Sequence, residues 1–240
     1  MNDLIIDTVF EEMTKVPKEP IKTQYEYLNN ELSKCDKGSI ITFSGTMCGI
    51  LFLNLVKQFA ISHKNCLYFK DNFYRKRFFM ELITLNSKNY DFEKSKNEIK
   101  TWNLTLSDNN ISDLTELKRL LSTKKPDYIF IDNLKKFSLG NSSVNDILAE
   151  FKQLLYEYKS ILFINLGNTD FVNDVVISKT VKYFSDVIID IKHSKDDVYS
   201  LWTLKSLNLD YGVFSLKYNY KLFEFEDIDL SDNIWRTCLL

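Results

Sequence analysis

Lys37-Gly38-Ser39-Ile40-Ile41-Thr42-Phe43-Ser44-Gly45-Thr46-Met47-Cys48-Gly49-Ile50-Leu51 is the stretch whose reading decides the fold. Its first half is apolar and β-branched, which predicts a buried strand over residues 39–43. A turn of small residues follows. After Gly49, Leu51, Leu53, Leu55, Val56, Phe59 and Ala60 recur with the period of a helix that packs on a sheet. Strand, glycine-bearing turn and helix in direct succession form the layout of a phosphate-binding loop, in which backbone N–H groups and a helix N-terminus hold an anion. Gly45, Thr46 and Gly49 are the turn residues such a site would use. The motif G-x-x-x-x-G-K-[ST] then requires a lysine and a hydroxyl, and this chain has Ile50 and Leu51 there. A tight strand-to-helix turn with no ligand accounts for the two glycines equally well.

Outward from that stretch, composition sets the bounds. A chain of 240 residues can bury the core of one good-sized α/β domain. The net charge of -2 gives no global basic field, so any nucleic-acid contact has to be local. Cys35, Cys48, Cys66 and Cys238 show neither paired nor metal-type spacing, and His63 and His193 are the only histidines. The expectation is reduced thiols in a cytoplasmic protein without a metal site. The N-terminus has no basic region followed by an apolar stretch. No run of about 18 apolar residues occurs, so neither signal peptide nor membrane span is expected.

In chain order, residues 1–36 read as a helical lead-in, with helices near 4–13 and 24–33 separated by Pro17 and Pro20. Buried strands are predicted at 66–69, 128–132 and 161–166, and a short one at 102–104. Helices are predicted at 73–85, 93–99, from an N-cap at Ser112 to about 122, at 144–158, and near Val181. Residues 108–110 read as a turn, 140–143 as a loop and 168–174 as a polar connection. Continuous apolar strands alternating with helices imply a mostly parallel central sheet flanked by helices. From residue 186 the pattern changes. Strands at 187–191, 199–204, 213–216 and 222–225 have no helix-length spacer and should form antiparallel hairpins on one edge. An acidic tail, residues 228–240, ends the chain.

Asp132 closes the strand Tyr128-Ile129-Phe130-Ile131-Asp132, where a Walker B carboxylate would hold Mg²⁺ through water. With the phosphate-loop layout upstream, this order of elements resembles the RecA-like motor domain of DnaB-type replicative hexameric helicases over about residues 17–227. Lys37-Gly38-Ser39-Ile40-Ile41, Asp127-Tyr128-Ile129-Phe130-Ile131-Asp132-Asn133-Leu134, residues 161–167 and Asp186-Val187-Ile188-Ile189 carry the resemblance. It implies a RecA-like P-loop NTPase fold over residues 37–227. It also implies where the hydrolytic groups should stand: a lysine and hydroxyl at Ile50 and Leu51, a catalytic glutamate at Asp71 or Asn72, a sensor glutamine at about Leu166, and an arginine finger at about Leu207. Asp132 and the C-terminal Lys205 survive. Loss of a finger alone lowers rate by roughly 10³–10⁵.

The expectation is therefore a helicase-like pseudo-ATPase with no cofactor. It would act as a replication accessory or interaction scaffold that binds a replicative helicase or self-assembles. Two alternatives stand beside it. One is a divergent active ATPase or helicase using ATP and Mg²⁺, with a lysine borrowed from Lys205 or Lys70. The other is an ATP-independent single-stranded nucleic-acid-binding subunit, using the basic and aromatic cluster Tyr74, Arg75, Lys76, Arg77 and Phe78 with Lys135 and Lys136. An ordinary solvated helix face and turn account for those cations as well.

Overall fold

The computed structural model describes residues 21–33, 35–71, 74–87, 91–167, 175–207 and 212–228. The helix expected near residues 4–13, the connection at 168–174 and the tail from 229 onward lie outside these residues. The elements begin α1 (Glu26–Leu32), β1 (Ile40–Gly45), α2 (Cys48–Ile61), β2 (Cys66–Phe69), α3 (Arg75–Asn86) and α4 (Phe92–Ile99). Next come β3 (Leu104–Ser107), β4 (Asn110–Ile111), α5 (Leu114–Lys124), β5 (Tyr128–Asp132), β6 (Ser138–Leu139) and α6 (Val144–Tyr158). The last six are β7 (Ile161–Asn165), α7 (Val175–Phe184), β8 (Val187–Lys195), β9 (Val198–Lys205), β10 (Val213–Asn219) and β11 (Glu224–Asp227).

Among the described residues, nine strands form one sheet in the order β11-β10-β9-β8-β1-β7-β5-β2-β3. The strands from β3 to β8 run parallel, with β1 between β7 and β8. β8 to β11 are antiparallel, as their short connections require. Because side chains alternate across a strand, each apolar run supplies both faces. Phe43, Tyr68, Phe130, Phe163 and Ile189 face α1 to α3, while Ile40, Leu67, Ile129, Leu162 and Ile188 face α5 and α6. Such two-sided burial explains why these strands read as continuous apolar runs. Phe52 of α2 packs edge-on against Phe43 at 5.6 Å and Phe130 at 5.5 Å, which anchors the helix that leaves the β1 turn. Tyr25, Leu28 and Leu32 of the lead-in are fully buried in the same core.

Four local expectations need correction. The strand predicted at 102–104 begins only at Leu104 and runs to Ser107, and Asn110 belongs to β4 rather than to a turn. Ser112 does not cap α5. The carboxylate of Asp113 accepts the Glu116 N–H at 2.8 Å, while the Ser112 hydroxyl and N–H both donate to Glu116 Oε2. Two adjacent residues compete for one cap, and the one whose side chain reaches the third N–H of the helix takes it. β8 also extends past Ile191 to Lys195, because Lys192 to Lys195 are exposed and pair with β9 as a polar ribbon that leaves no apolar signature.

α6 has the boundaries its periodicity predicts. A reciprocal capping box fixes its start, with Ser143 Oγ accepting the Asp146 N–H at 3.3 Å and Asp146 Oδ2 accepting the Ser143 N–H at 3.2 Å. Ser143→Ala is expected to lower stability by about 1 kcal/mol, read as a shift of the urea midpoint with unchanged slope.

Candidate functional site

The ends of β1, β2, β5 and β7 converge where the sequence places its phosphate-type turn. Gly45 has φ +94° and lies against β8: a Cβ added there would meet the Ile191 carbonyl oxygen at 2.0 Å. Its N–H donates to the Gly167 carbonyl at 3.1 Å, and the Thr46 N–H donates to the Ile191 carbonyl at 3.0 Å. Met47 takes φ 64° and its carbonyl accepts from the Ile50 and Leu51 N–H groups. Ser44 Oγ donates to Asp190 Oδ1 at 2.6 Å. The turn is thus tied on both sides to β7 and β8, and two of the N–H groups that could meet a phosphate already have carbonyl acceptors. Cys48 is buried; burial pushes its thiol well above the ordinary range, with the Asp190 and Asp132 charges adding to the rise.

Gly49 differs from Gly45. A Cβ there would meet nothing within 4 Å. It borders a cavity of about 260 Å³, also lined by Ile50, Lys70, Tyr74, Arg77 and Glu81. Leu51, at the hydroxyl position, is fully buried in the core below. Ligand pockets for nucleotide-sized molecules run about 300–1,000 Å³, so this space is small as well as apolar on its α2 side.

The carboxylate of Asp132 is closed from two directions. Lys70 follows β2 directly, and its ammonium forms an ion pair with Asp132 Oδ2. Asn165, at the end of β7, donates from Nδ2 to Asp132 Oδ1 at 2.8 Å and accepts the Gly167 N–H on its own oxygen at 2.7 Å. Lys70 Nζ also lies 5.9 Å from the ring centre of Tyr68 and 5.6 Å from that of Phe78, within cation–π range. The Tyr68 hydroxyl is pushed well above its ordinary range, first by burial and then by the Asp132 charge. Asp132 is 14% exposed and Lys70 17%, so the pair sits at the bottom of the cleft rather than in solvent.

That donor set does not fit Mg²⁺, which takes oxygen ligands in octahedral array. The neighbours of Asp132 are an ammonium and an amide N–H, the expected hydroxyl is Leu51, and no cluster of three or more His, Cys, Asp or Glu suited to a metal occurs among the described residues. Lys70 supplies internally the positive charge that a metal ion would bring.

The remaining sequence candidates scatter. Arg77 is taken up by Glu81 at 2.7 Å, one helical turn along α3, and its side chain is 76% exposed. Lys76 is exposed, and the side chain of Arg75 lies outside the described residues. Lys135 and Lys136 occupy a single 3₁₀ turn, Leu134–Lys136, where Lys136 Nζ stands 5.4 Å over the Tyr74 ring. Asp71 is half-buried after Lys70, and Asn72 lies outside the described residues. Lys205 is not brought to the turn of its own chain: it pairs with Ile188, level with Thr42, and its ammonium donates to the carbonyls of Ser185 and Lys182 at the other end of the strands. Leu207 is exposed near that edge.

Sequence reasoning missed Asn165, having placed the sensor position one residue later at Leu166, and it treated Lys70 only as a substitute phosphate ligand. Register contains the missing signal. Phe69 pairs with Ile131 and Asp132 with Asn165, so the residue after β2 and the last residues of β5 and β7 must lie at one level.

No protein-family model matches the chain, and no curated protein matches its sequence. Solved structures do. One of them, an ATPase domain, superposes with a TM-score of 0.76 at 13% identity, covering 95% of this chain and 99% of that one. A DnaB-like replicative helicase, solved with reference to its interactions with primase, gives 0.72 at 13% identity over 95% of this chain and 67% of its own. The flagellar accessory protein FlaH from Methanocaldococcus jannaschii gives 0.64 at 14% identity over 87% and 98%. At such identities the likeness is one of fold. The chain has the RecA-like architecture, with antiparallel strands added beyond β8. No helix among the described residues is long and apolar enough to cross a membrane.

Proposed function

We propose that this RecA-like chain is a pseudo-ATPase, kept as an interaction scaffold in DNA replication, where it binds a replicative helicase or assembles with itself. The observation that carries the reading is the closure of Asp132 by Lys70 and Asn165. A hydrolytic site needs that carboxylate open to a metal, a lysine over the phosphates and a charge at the leaving oxygens. Here the carboxylate is neutralised within the chain, and Ile50 offers a phosphate no compensating cation. One charge-assisted hydrogen bond contributes about 1.5–3 kcal/mol, so loss of several together leaves a millimolar ligand without a site. The alternative of an active enzyme with a borrowed lysine is weakened by the same contacts, since Lys70 is held by the Asp132 carboxylate at the bottom of the cleft and Lys205 has its acceptors at the other end of the sheet. The scaffold reading draws on the fold likeness to a helicase described with its primase interactions, and on the retention of the whole sheet where the hydrolytic side chains are replaced.

Titration calorimetry with ATP and Mg²⁺ is expected to show no binding at millimolar nucleotide, and no phosphate release. Hydrolysis at the rate of an intact P-loop ATPase, lost in Asp132→Ala, would overturn the pseudo-ATPase reading. For the scaffold role, native mass measurement of the chain alone and mixed with a DnaB-type helicase should give a defined oligomer or a stoichiometric complex. A monomer in both would remove it.

A further inference from the structure

The two edges of the large sheet are finished differently. β11, Glu224-Phe225-Glu226-Asp227, carries three carboxylates, and neighbouring side chains hold its main chain. The Phe225 N–H donates to Asn54 Oδ1 at 3.3 Å, and the Phe225 carbonyl accepts from Gln24 Nε2 at 3.2 Å. The Phe223 carbonyl, just before the strand, accepts from Asn54 Nδ2 at 3.1 Å. Charge and cover of this kind keep an edge from pairing with a foreign strand. β3, at the opposite edge, has neither. Thr101-Trp102-Asn103-Leu104-Thr105-Leu106-Ser107 contains no charge and no proline, and β3 pairs with β2 in unbroken register without a bulge.

That register decides which main-chain groups stay open. The Asn103 carbonyl accepts the Cys66 N–H at 2.8 Å and the Ser107 carbonyl accepts the Lys70 N–H at 3.0 Å, so Asn103, Thr105 and Ser107 face β2. Successive residues of a strand turn their main-chain groups to opposite sides, which directs the N–H and C=O groups of Leu104 and Leu106 away from the sheet. No hydrogen bond reaches these groups among the described residues. Both leucine side chains pack on the core shared with α1 to α3, so the strand is held firmly with its outer edge bare.

The open set is symmetric about Thr105. A second β3 laid antiparallel, with a two-fold axis at Thr105, sets Leu104 of each copy opposite Leu106 of the other. Each such pair exchanges both of its N–H···O=C bonds, so the open groups of both copies are satisfied at once. Thr105 meets its own counterpart between them as a non-hydrogen-bonded pair, where cross-strand side chains stand closest. Antiparallel pairing also brings the end of one strand beside the start of the other, and the nearest charges there, Asp108 and Lys100, are of opposite sign. At β11 the same operation would crowd Glu224, Glu226 and Asp227 against the like charges of the other copy.

We propose that β3 is a self-pairing edge, through which two copies of this chain join their sheets antiparallel across Leu104, Thr105 and Leu106. The inference names the surface for the self-assembly arm of the scaffold reading and rests on that arm alone, whatever the P-loop turn binds. A few main-chain bonds over a short strand give a concentration-dependent dimer, not a permanent one.

Sedimentation of the full chain over a concentration series is expected to show a monomer–dimer equilibrium. Amide exchange should find the Leu104 and Leu106 N–H groups protected in the dimer and open on dilution. Thr105→Lys and Thr105→Glu each set like charges face to face at the axis, so each variant should dimerise at least about tenfold more weakly than the wild type. Mixing the two variants should restore the dimer as a heterodimer, which damage to the fold could not do. The proposal is overturned if the chain is monomeric throughout, an outcome that leaves the helicase arm of the scaffold reading to the mixed mass measurement. It is overturned equally if the chain associates and both variants associate as the wild type does, which would leave self-assembly standing through another surface. Protection of both amides in the dilute monomer would also overturn it, since residues of the same chain would then cover the edge.

Discussion

Replacing Gly45 with Ala is expected to destabilise the fold by about 3 kcal/mol or more, while Gly49→Ala leaves stability unchanged or raises it by about 0.4–1 kcal/mol. The two glycines share one turn and one motif but face different surroundings. At Gly45 a side chain must adopt φ +94°, a region that costs a non-glycine residue about 1–3 kcal/mol. Its Cβ must also displace the Ile191 carbonyl, 2.0 Å away, which accepts the Thr46 N–H. Nothing stands near the Gly49 Cβ position, and in the first turn of α2 alanine restricts the unfolded chain more than glycine does. Urea unfolding of the two variants checks this directly. Equal tolerance of both would mean that the glycines were there for a ligand and that the clamp between β1 and β8 is not what shapes the turn. Equal intolerance would mean that Gly49 has a structural duty.

Much of this fold was legible because the strands are apolar on both sides. Tyr128-Ile129-Phe130-Ile131 and Ile161-Leu162-Phe163-Ile164 can only be buried between two helical layers, and a parallel sheet follows from the helices between them. The polar end of β8 was not legible, since Lys192 to Lys195 pair in a ribbon with no core beneath. At the site, sequence pattern names the residues that a familiar motif would use but cannot say which neighbours they meet. Asp132 stood out as the terminus of a strand; Lys70 and Asn165 did not, because what joins them to Asp132 is the lateral order β2-β5-β7. Lys205 is read as a nucleotide-site residue through the resemblance alone. It ends β9, and the antiparallel direction of that strand shows that its ammonium reaches the opposite end of the sheet from the turn of its own chain.

Lys70→Met is expected to cost about 3 kcal/mol, the lower part of the range for breaking a buried ion pair, because both partners retain some exposure. Met keeps most of the packing between the Tyr68 and Phe78 rings, so the loss reports the charge rather than a cavity. What remains is a carboxylate at the foot of the cleft with one amide donor. Adding Asp132→Leu to Lys70→Met should return most of the lost stability, since an apolar pair of similar volume replaces an ion pair at little net cost. A double-mutant cycle should therefore show a coupling of at least about 1 kcal/mol between the two positions. The same variants separate a locked site from a metal site. If Asp132 served Mg²⁺, removing Lys70 would unblock it, and millimolar Mg²⁺ with ATP would raise the melting temperature of Lys70→Met by mass action. With Ile50 and Leu51 in place of the phosphate lysine and the hydroxyl, no such rise is expected, because freeing one carboxylate restores one contact of the several that a nucleotide needs. A ligand-dependent gain in Lys70→Met would show that Lys70 is a plug over a site still able to bind. Its absence, together with strong coupling, would show that the ion pair has become part of the core that holds β2, β5 and β7 in line.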